Sequence, residues 1–127
     1  MEPTKTILVV EDDSLLVELI RNKLQNHGFN VFSCPSGKEA IDYLSSIVSL
    51  PNAIWLDFYL SDMNGDKLLT EILHHESWRD IPIVIVSNSS DGHNVDLAFS
   101  LGAKKYLLKT QYELGDIVQE IIKITSQ

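Results

Sequence analysis

Two features of the 127-residue sequence predict an α/β fold built on one parallel sheet. Short apolar, β-rich runs alternate with longer segments of helical periodicity, five times along the chain. Several of these runs are apolar on both faces, as strands covered by helices on each side must be. Alternation of this kind places helices on both faces of the sheet. The length fits one domain spanning residues 1–127.

The elements follow in order. Thr6 to Val10 is a continuous apolar run that ends in Glu11-Asp12-Asp13. Leu16, Leu19, Ile20 and Leu24 then recur at helical spacing, and Gly28 after His27 is a helix stop. Asn30 to Cys34 reads as a second strand. Ser36-Gly37-Lys38-Glu39 has the form of a capping box, with Ala40, Ile41, Leu44 and Val48 continuing the helix until Leu50-Pro51-Asn52 breaks it. Ala53 to Asp57 is the third strand. Asn64-Gly65-Asp66 is a turn opening a helix that carries Leu68, Leu69, Ile72 and Leu73. Ile81 to Val86 is the fourth strand, Asp91 to Leu101 a helix capped by Gly102, and Lys104 to Leu108 the fifth strand. Thr110 to Glu113 has the spacing of a second capping box, before a stripe of Leu114, Ile117, Val118, Ile121 and Ile122.

The formal net charge is −8, which repels nucleic-acid phosphates and argues against direct DNA binding. The single cysteine, Cys34, excludes an internal disulfide and any multi-cysteine metal cluster, and is expected to be a small buried hydrophobe. No apolar run approaches the roughly 18 residues of a membrane helix. Met1 to Lys5 lacks the pattern of a secretory leader, so a cytoplasmic location is the default expectation.

Ligands of such sheets sit at the carboxyl ends of the strands. There the sequence places Glu11, Asp12 and Asp13, then Asp57, Ser87 and Lys109. Each has an ordinary explanation taken alone: acids favoured at a helix start, a turn serine, a surface lysine. Their joint occurrence at successive strand ends points to a site. Several carboxylates in one cleft repel each other, and a divalent cation relieves the conflict. A ligand set of oxygens alone favours Mg²⁺, with Mn²⁺ or Ca²⁺ as substitutes, over Zn²⁺. Lys109 and the Ser87 hydroxyl suit the oxygens of a phosphoryl group.

Val10-Glu11-Asp12-Asp13, Asp57 to Gly65, Val86-Ser87 and Gly102 to Lys109, in this order and spacing, resemble the receiver domain of two-component response regulators, including the single-domain chemotaxis type. The likeness runs from Ile7 to Ile122. It implies a flavodoxin-like, doubly wound five-stranded sheet of order 2-1-3-4-5 with five helices. It implies that Asp57 becomes an aspartyl phosphate. Asp12 and Asp13 would be metal acids, the first direct and the second through water, with Asp57 and the Tyr59 backbone carbonyl as further ligands. Ser87 would bond the phosphoryl group, Lys109 would pair with it, and Ser87 with Tyr106 would form the switch. Positions such as Tyr59 and Ser89 tune phosphate hydrolysis in the family, and Tyr59 is expected to screen Asp57 and lengthen the life of the phosphate. Two departures stand out. Ser61 and Thr110 occupy positions where the family often has proline. The Lys109-Thr110 peptide is then trans, or cis at a cost of about 2.5–4 kcal/mol.

The implied function is a phosphoacceptor switch in a two-component or phosphorelay system, not an enzyme beyond its own Mg²⁺-dependent phosphorylation and dephosphorylation. A sensor histidine kinase or histidine phosphotransfer protein would donate the phosphoryl group. The surface of the fourth helix, fifth strand and fifth helix would present the change to a downstream protein. The alternative is a Mg²⁺-dependent phosphatase of haloacid dehalogenase type, but its acid/base Asp is replaced here by Tyr59. A flavodoxin-like cofactor binder is disfavoured by the acids after the first strand. His74 and His75 read as surface residues at a helix end, Trp55 as core, and Trp78 as a loop residue of open environment.

Overall fold

The computed structural model describes residues 3–88 and 91–126. Ten elements alternate along the chain: β1 (Thr6–Val10), α1 (Ser14–Asn26), β2 (Asn30–Cys34), α2 (Gly37–Ser46), β3 (Ala53–Asp57), α3 (Gly65–His74), β4 (Ile83–Ser87), α4 (Gly92–Leu101), β5 (Lys105–Leu108) and α5 (Leu114–Thr125). The five strands form one sheet of order β2-β1-β3-β4-β5, and every pair is parallel. This is the doubly wound, flavodoxin-like arrangement that the sequence predicts.

Alternation along the strands divides the core in two. Leu8, Val10, Ile54, Leu56, Ile83 and Ile85 face one way and pack with Leu44, Leu68, Leu69 and Ile72 of α2 and α3 and Ala98 of α4. Ile7, Val9, Ala53, Trp55, Val84 and Val86 face the other way, against Ile20 and Leu24 of α1 and Ile117, Val118 and Ile121 of α5. Cys34 is buried, and burial pushes its thiol up to about 11. Trp78 is also buried and stacks on His75, with ring centroids 3.6 Å apart. At the sheet edges, Phe32 of β2 stacks on Tyr43 of α2 at 3.9 Å, and Lys105 of β5 pairs with Glu120 of α5 at 3.8 Å. No helix among the described residues is long and apolar enough to cross a membrane.

Some boundaries differ from the sequence reading. Leu19 is 55% exposed; the inner face of α1 is Val17, Ile20 and Leu24 instead. Helix α2 stops at Ser46, leaving Val48 in solvent. Strand β4 begins at Ile83 and β5 at Lys105, two and one residues later than expected. Thr110 does not open α5. The amides of Gln111 and Tyr112 both donate to the Leu108 carbonyl in a turn, and the helix starts at Leu114. Its cap is Glu113, whose N–H donates to the Asp116 carboxylate at 3.2 Å.

The loop after β3 is held by a charge rather than by proline. Asp62, next to Ser61, accepts from the Gly37 and Lys38 amides at the start of α2, at 2.9 and 3.0 Å. These two amide bonds hold its carboxyl below the ordinary carboxylate range. Its far end is fixed by Gly65. A Cβ there would stand 2.7 Å from Phe58 Cα and 2.9 Å from the Phe58 carbonyl oxygen, both backbone atoms. Gly37 is also crowded, but by the flexible side chain of Met63.

The two glycines therefore separate in a test. Gly65→Ala is expected to cost about 1–3 kcal/mol in urea unfolding, as overpacking against rigid atoms does. Gly37→Ala is expected to cost much less, because Met63 can swing aside. For Asp62, a depressed folded-state pKa means stability that is complete above the unfolded value and lost as pH falls through the folded one. Asp62→Ala should lose about 1 kcal/mol at neutral pH, as for other helix caps. The gap from wild type should narrow in urea melts run below the ordinary carboxylate range.

Candidate functional site

The strand ends converge. In the sheet order β1 and β3 are neighbours although β2 lies between them in sequence, and the crevice at this reversal lies beyond Val10 and Asp57. Asp57 closes β3 beside Val86, and Ser87 closes β4 beside Leu108. Lys109 directly follows β5, and its N–H donates to the Ser87 carbonyl at 2.8 Å.

The centre of the site is an ion pair. Lys109 Nζ donates to Glu11 Oε1 at 2.8 Å and stands 3.6 Å from Asp57 Oδ2. Glu11 is 2% exposed and Asp57 7%. Burial raises the Glu11 pKa above its ordinary value, the hydrogen bond from Lys109 opposes this, and the charge of Asp57 adds to it. For Lys109, burial works to lower the pKa. The hydrogen bond to Glu11 and the charges of Asp57 and Glu11 outweigh it, so the net direction is upward and the ammonium is retained. The Lys109-Thr110 peptide is trans, since no described peptide is cis, and the lysine still reaches both carboxylates.

Glu11, Asp12 and Asp57 each offer a carboxylate oxygen, and these oxygens lie within 4.8 Å of one another. Three acids against one lysine leave an excess of negative charge. Asp12 is exposed, so the group opens to solvent. Oxygen-only ligands with room for water fit a hard divalent cation. Asp13, expected among the metal acids, is not in this group. Its Oδ1 accepts from the Leu15 and Leu16 amides at 3.1 and 3.2 Å and caps α1. The third acid is Glu11, which the sequence places at the strand end beside Asp12 and Asp13 but to which the family resemblance gave no metal role. It continues the line of β1, its N–H donating to the Cys34 carbonyl at 3.1 Å, and is buried for that reason. The signal was present: an Asp immediately before a helical segment is a preferred N-cap.

Tyr59 approaches Asp57 through its main chain, its N–H donating to Asp57 Oδ1 at 3.2 Å. Its side chain is 45% exposed, and its hydroxyl accepts from Asn94 Nδ2 of α4 at 2.5 Å. Ser87 is fully buried. Tyr106 is half-buried and tilted against Phe58, with ring centroids 6.1 Å apart. Ser89 lies outside the described residues.

The sequence matches the response regulator receiver domain family over residues 7–122. It is 35% identical over 105 residues to the transcriptional regulatory protein CitT of Halalkalibacterium halodurans, covering 81% of this chain and 45% of that one. The chain spans about half the length of the first curated relatives it matches. Among solved structures, the phosphorylated cyanobacterial phytochrome response regulator RcpA superposes with a TM-score of 0.89 at 28% identity, covering 98% of this chain and 96% of that one. The Mn²⁺-bound response regulator Rcp1 superposes with a TM-score of 0.82 at 27% identity, covering 92% and 91%. With the family matched across nearly the whole chain and the acids, serine and lysine at the strand ends of a 2-1-3-4-5 sheet, the chain belongs to the receiver domains of two-component response regulators.

Proposed function

We propose that Asp57 is the phosphoacceptor of this receiver, taking a phosphoryl group from a histidine kinase or histidine phosphotransfer protein. The observation that carries this reading is the placement of Lys109. Its ammonium is anchored by Glu11 and lies 3.6 Å from Asp57 Oδ2, so the phosphoacceptor carboxylate is adjoined but not fully neutralised. A carboxylate oxygen of Asp57 attacks phosphorus, the bond from phosphorus to the donor imidazole nitrogen breaks, and the imidazole leaves with that electron pair. Lys109 and the Ser87 hydroxyl would receive the charge on the phosphoryl oxygens. The Tyr59 amide orients the carboxylate through Oδ1. Glu11, Asp12 and Asp57, with the Tyr59 carbonyl, are the groups that would hold Mg²⁺. When bound, Mg²⁺ would neutralise charge shared between phosphoryl and carboxylate oxygens.

The change at Ser87 would pass to Tyr106, on the α4 side of β5, and bias the α4-β5-α5 surface that a downstream protein reads. RcpA in its phosphorylated form and Rcp1 with Mn²⁺ support both halves of the reading by likeness. The haloacid dehalogenase alternative gains nothing from the site, where an aromatic residue with its hydroxyl on Asn94 stands two positions after Asp57. The whole output of a longer protein, such as DNA binding in a transcriptional regulator, would belong to segments other than this domain.

Acetyl phosphate with Mg²⁺ is expected to add one phosphoryl group by intact mass, and Asp57→Asn to abolish it; an unlabelled wild type would defeat the proposal. Glu11→Gln and Asp12→Asn should each weaken Mg²⁺ binding roughly tenfold, about 1.4 kcal/mol, whereas Asp13→Asn should leave it nearly unchanged, as read by titration of the apo protein. Tyr59→Ala should shorten the phosphate half-life several-fold; an unchanged half-life would remove Tyr59 as a screen.

A further inference from the structure

The segments that leave β3 and β4 are tied to each other beside the phosphoacceptor. Tyr59 stands two residues after Asp57, and Asn94 lies in the first turn of α4, seven residues after Ser87. The Tyr59 hydroxyl accepts from Asn94 Nδ2 at 2.5 Å. The main chain of Tyr59 is fixed twice. Its N–H donates to Asp57 Oδ1 at 3.2 Å, and the residue forms an antiparallel bridge with Asn64. Burial does not fix the side chain in the same way: it is 45% exposed, and the Phe58 ring meets it edge-on with centroids 5.5 Å apart. An aromatic side chain so open to solvent can exchange among three staggered χ1 positions. The bond at its far tip selects one of them.

We infer that Asn94 is a positioning residue for hydrolysis of the aspartyl phosphate, holding Tyr59 in one rotamer beside Asp57. The inference rests on the proposed reading of Asp57 as phosphoacceptor and Tyr59 as its screen. In hydrolysis a water oxygen attacks phosphorus and the phosphorus–oxygen bond to Asp57 breaks. The electron pair of that bond returns to the carboxylate, and both water protons leave with the product as dihydrogen phosphate. Asn94 takes no part in this step and acts through Tyr59. A Tyr59 ring released from Asn94 keeps the screening position for only part of the time. With three staggered wells of similar weight that part is about a third, and the lifetime of the phosphate falls about threefold. The partners are chemically matched, since a side-chain amide donates and a tyrosine hydroxyl accepts. Neither is charged, so the tie adds no charge beside a site that already gathers three acids.

Two readouts test it: the phosphate half-life by intact mass after acetyl phosphate and Mg²⁺, and the ¹⁵N spectrum of the Asn94 side-chain amide. Asn94→Leu removes the donor and keeps α4 folded, because leucine is the better helix former. Tyr59→Phe removes the acceptor and keeps the ring. Each is expected to shorten the half-life about threefold, and the double variant also about threefold, because all three lose the same bond. A role of Asn94 confined to the stability of α4 would instead multiply with Tyr59→Phe, to about ninefold, and would overturn the inference. In the unphosphorylated protein Asn94→Leu assigns the amide pair, and Tyr59→Phe is expected to move it although the ring remains. An unmoved pair, or an unchanged half-life in either single variant, would overturn the inference as well. If Tyr59→Ala shortens the half-life and Asn94→Leu does not, the screen stands and the role of Asn94 falls. A wild type that takes up no phosphoryl group would defeat the reading of Asp57 itself, so the two failures are distinct.

Discussion

The site is organised around one partly buried ion pair, Glu11 with Lys109. A carboxylate as enclosed as Glu11 is costly unless a cation meets it with good geometry, and Lys109 does so at 2.8 Å. The partners lie at the ends of β1 and β5, with β3 and β4 between them in the sheet. The pair thus spans the mouth of the site and sets where the lysine ammonium stands. Because the short bond goes to Glu11, Asp57 is left with the longer 3.6 Å contact. That division makes Asp57 the less tightly held of the two acids. A symmetric bridge would have held Lys109 equally to both acids.

The same strands that carry the site divide the core. Trp55 lies on the α1/α5 side, whereas Phe58, which follows β3, packs with the cluster facing α2, α3 and α4. A charge added at the end of β3 is thereby in contact with both helical layers through neighbours in the chain. Tyr106 meets the second layer through Phe58, and Tyr59 reaches α4 through Asn94. These are physical contacts through which a local change could bias a surface.

The fold was legible because its strands are nearly uninterrupted apolar runs and its helices carry clear stripes and stops, such as Gly28 and Gly102, both with positive φ. What was misread depended on phase and on local competition. Leu19 shares helical spacing with Leu16 but falls on the outer face, because the stripe turns through Val17 and Ile20. Thr110 has the composition of a cap, yet its neighbours bond to Leu108 first. Asp57, Asp12, Ser87 and Lys109 could be located because each terminates or follows a strand. The division of labour among Glu11, Asp12 and Asp13 could not be read from spacing alone. It depends on which residue continues the pleat and which turns into α1. The anchoring of the loop by Asp62 was also hidden, since its partners lie 24 and 25 residues earlier in the chain.

The two rims of the sheet have a consequence of their own. A parallel sheet left open at its borders offers unpaired main-chain groups to any passing strand. Here one border carries the Phe32–Tyr43 stack and the other an outward lysine tied to Glu120. A copy that tried to extend the sheet would have to part the rings on one side or strip water from a charge on the other. Both borders are therefore poor templates for an added strand.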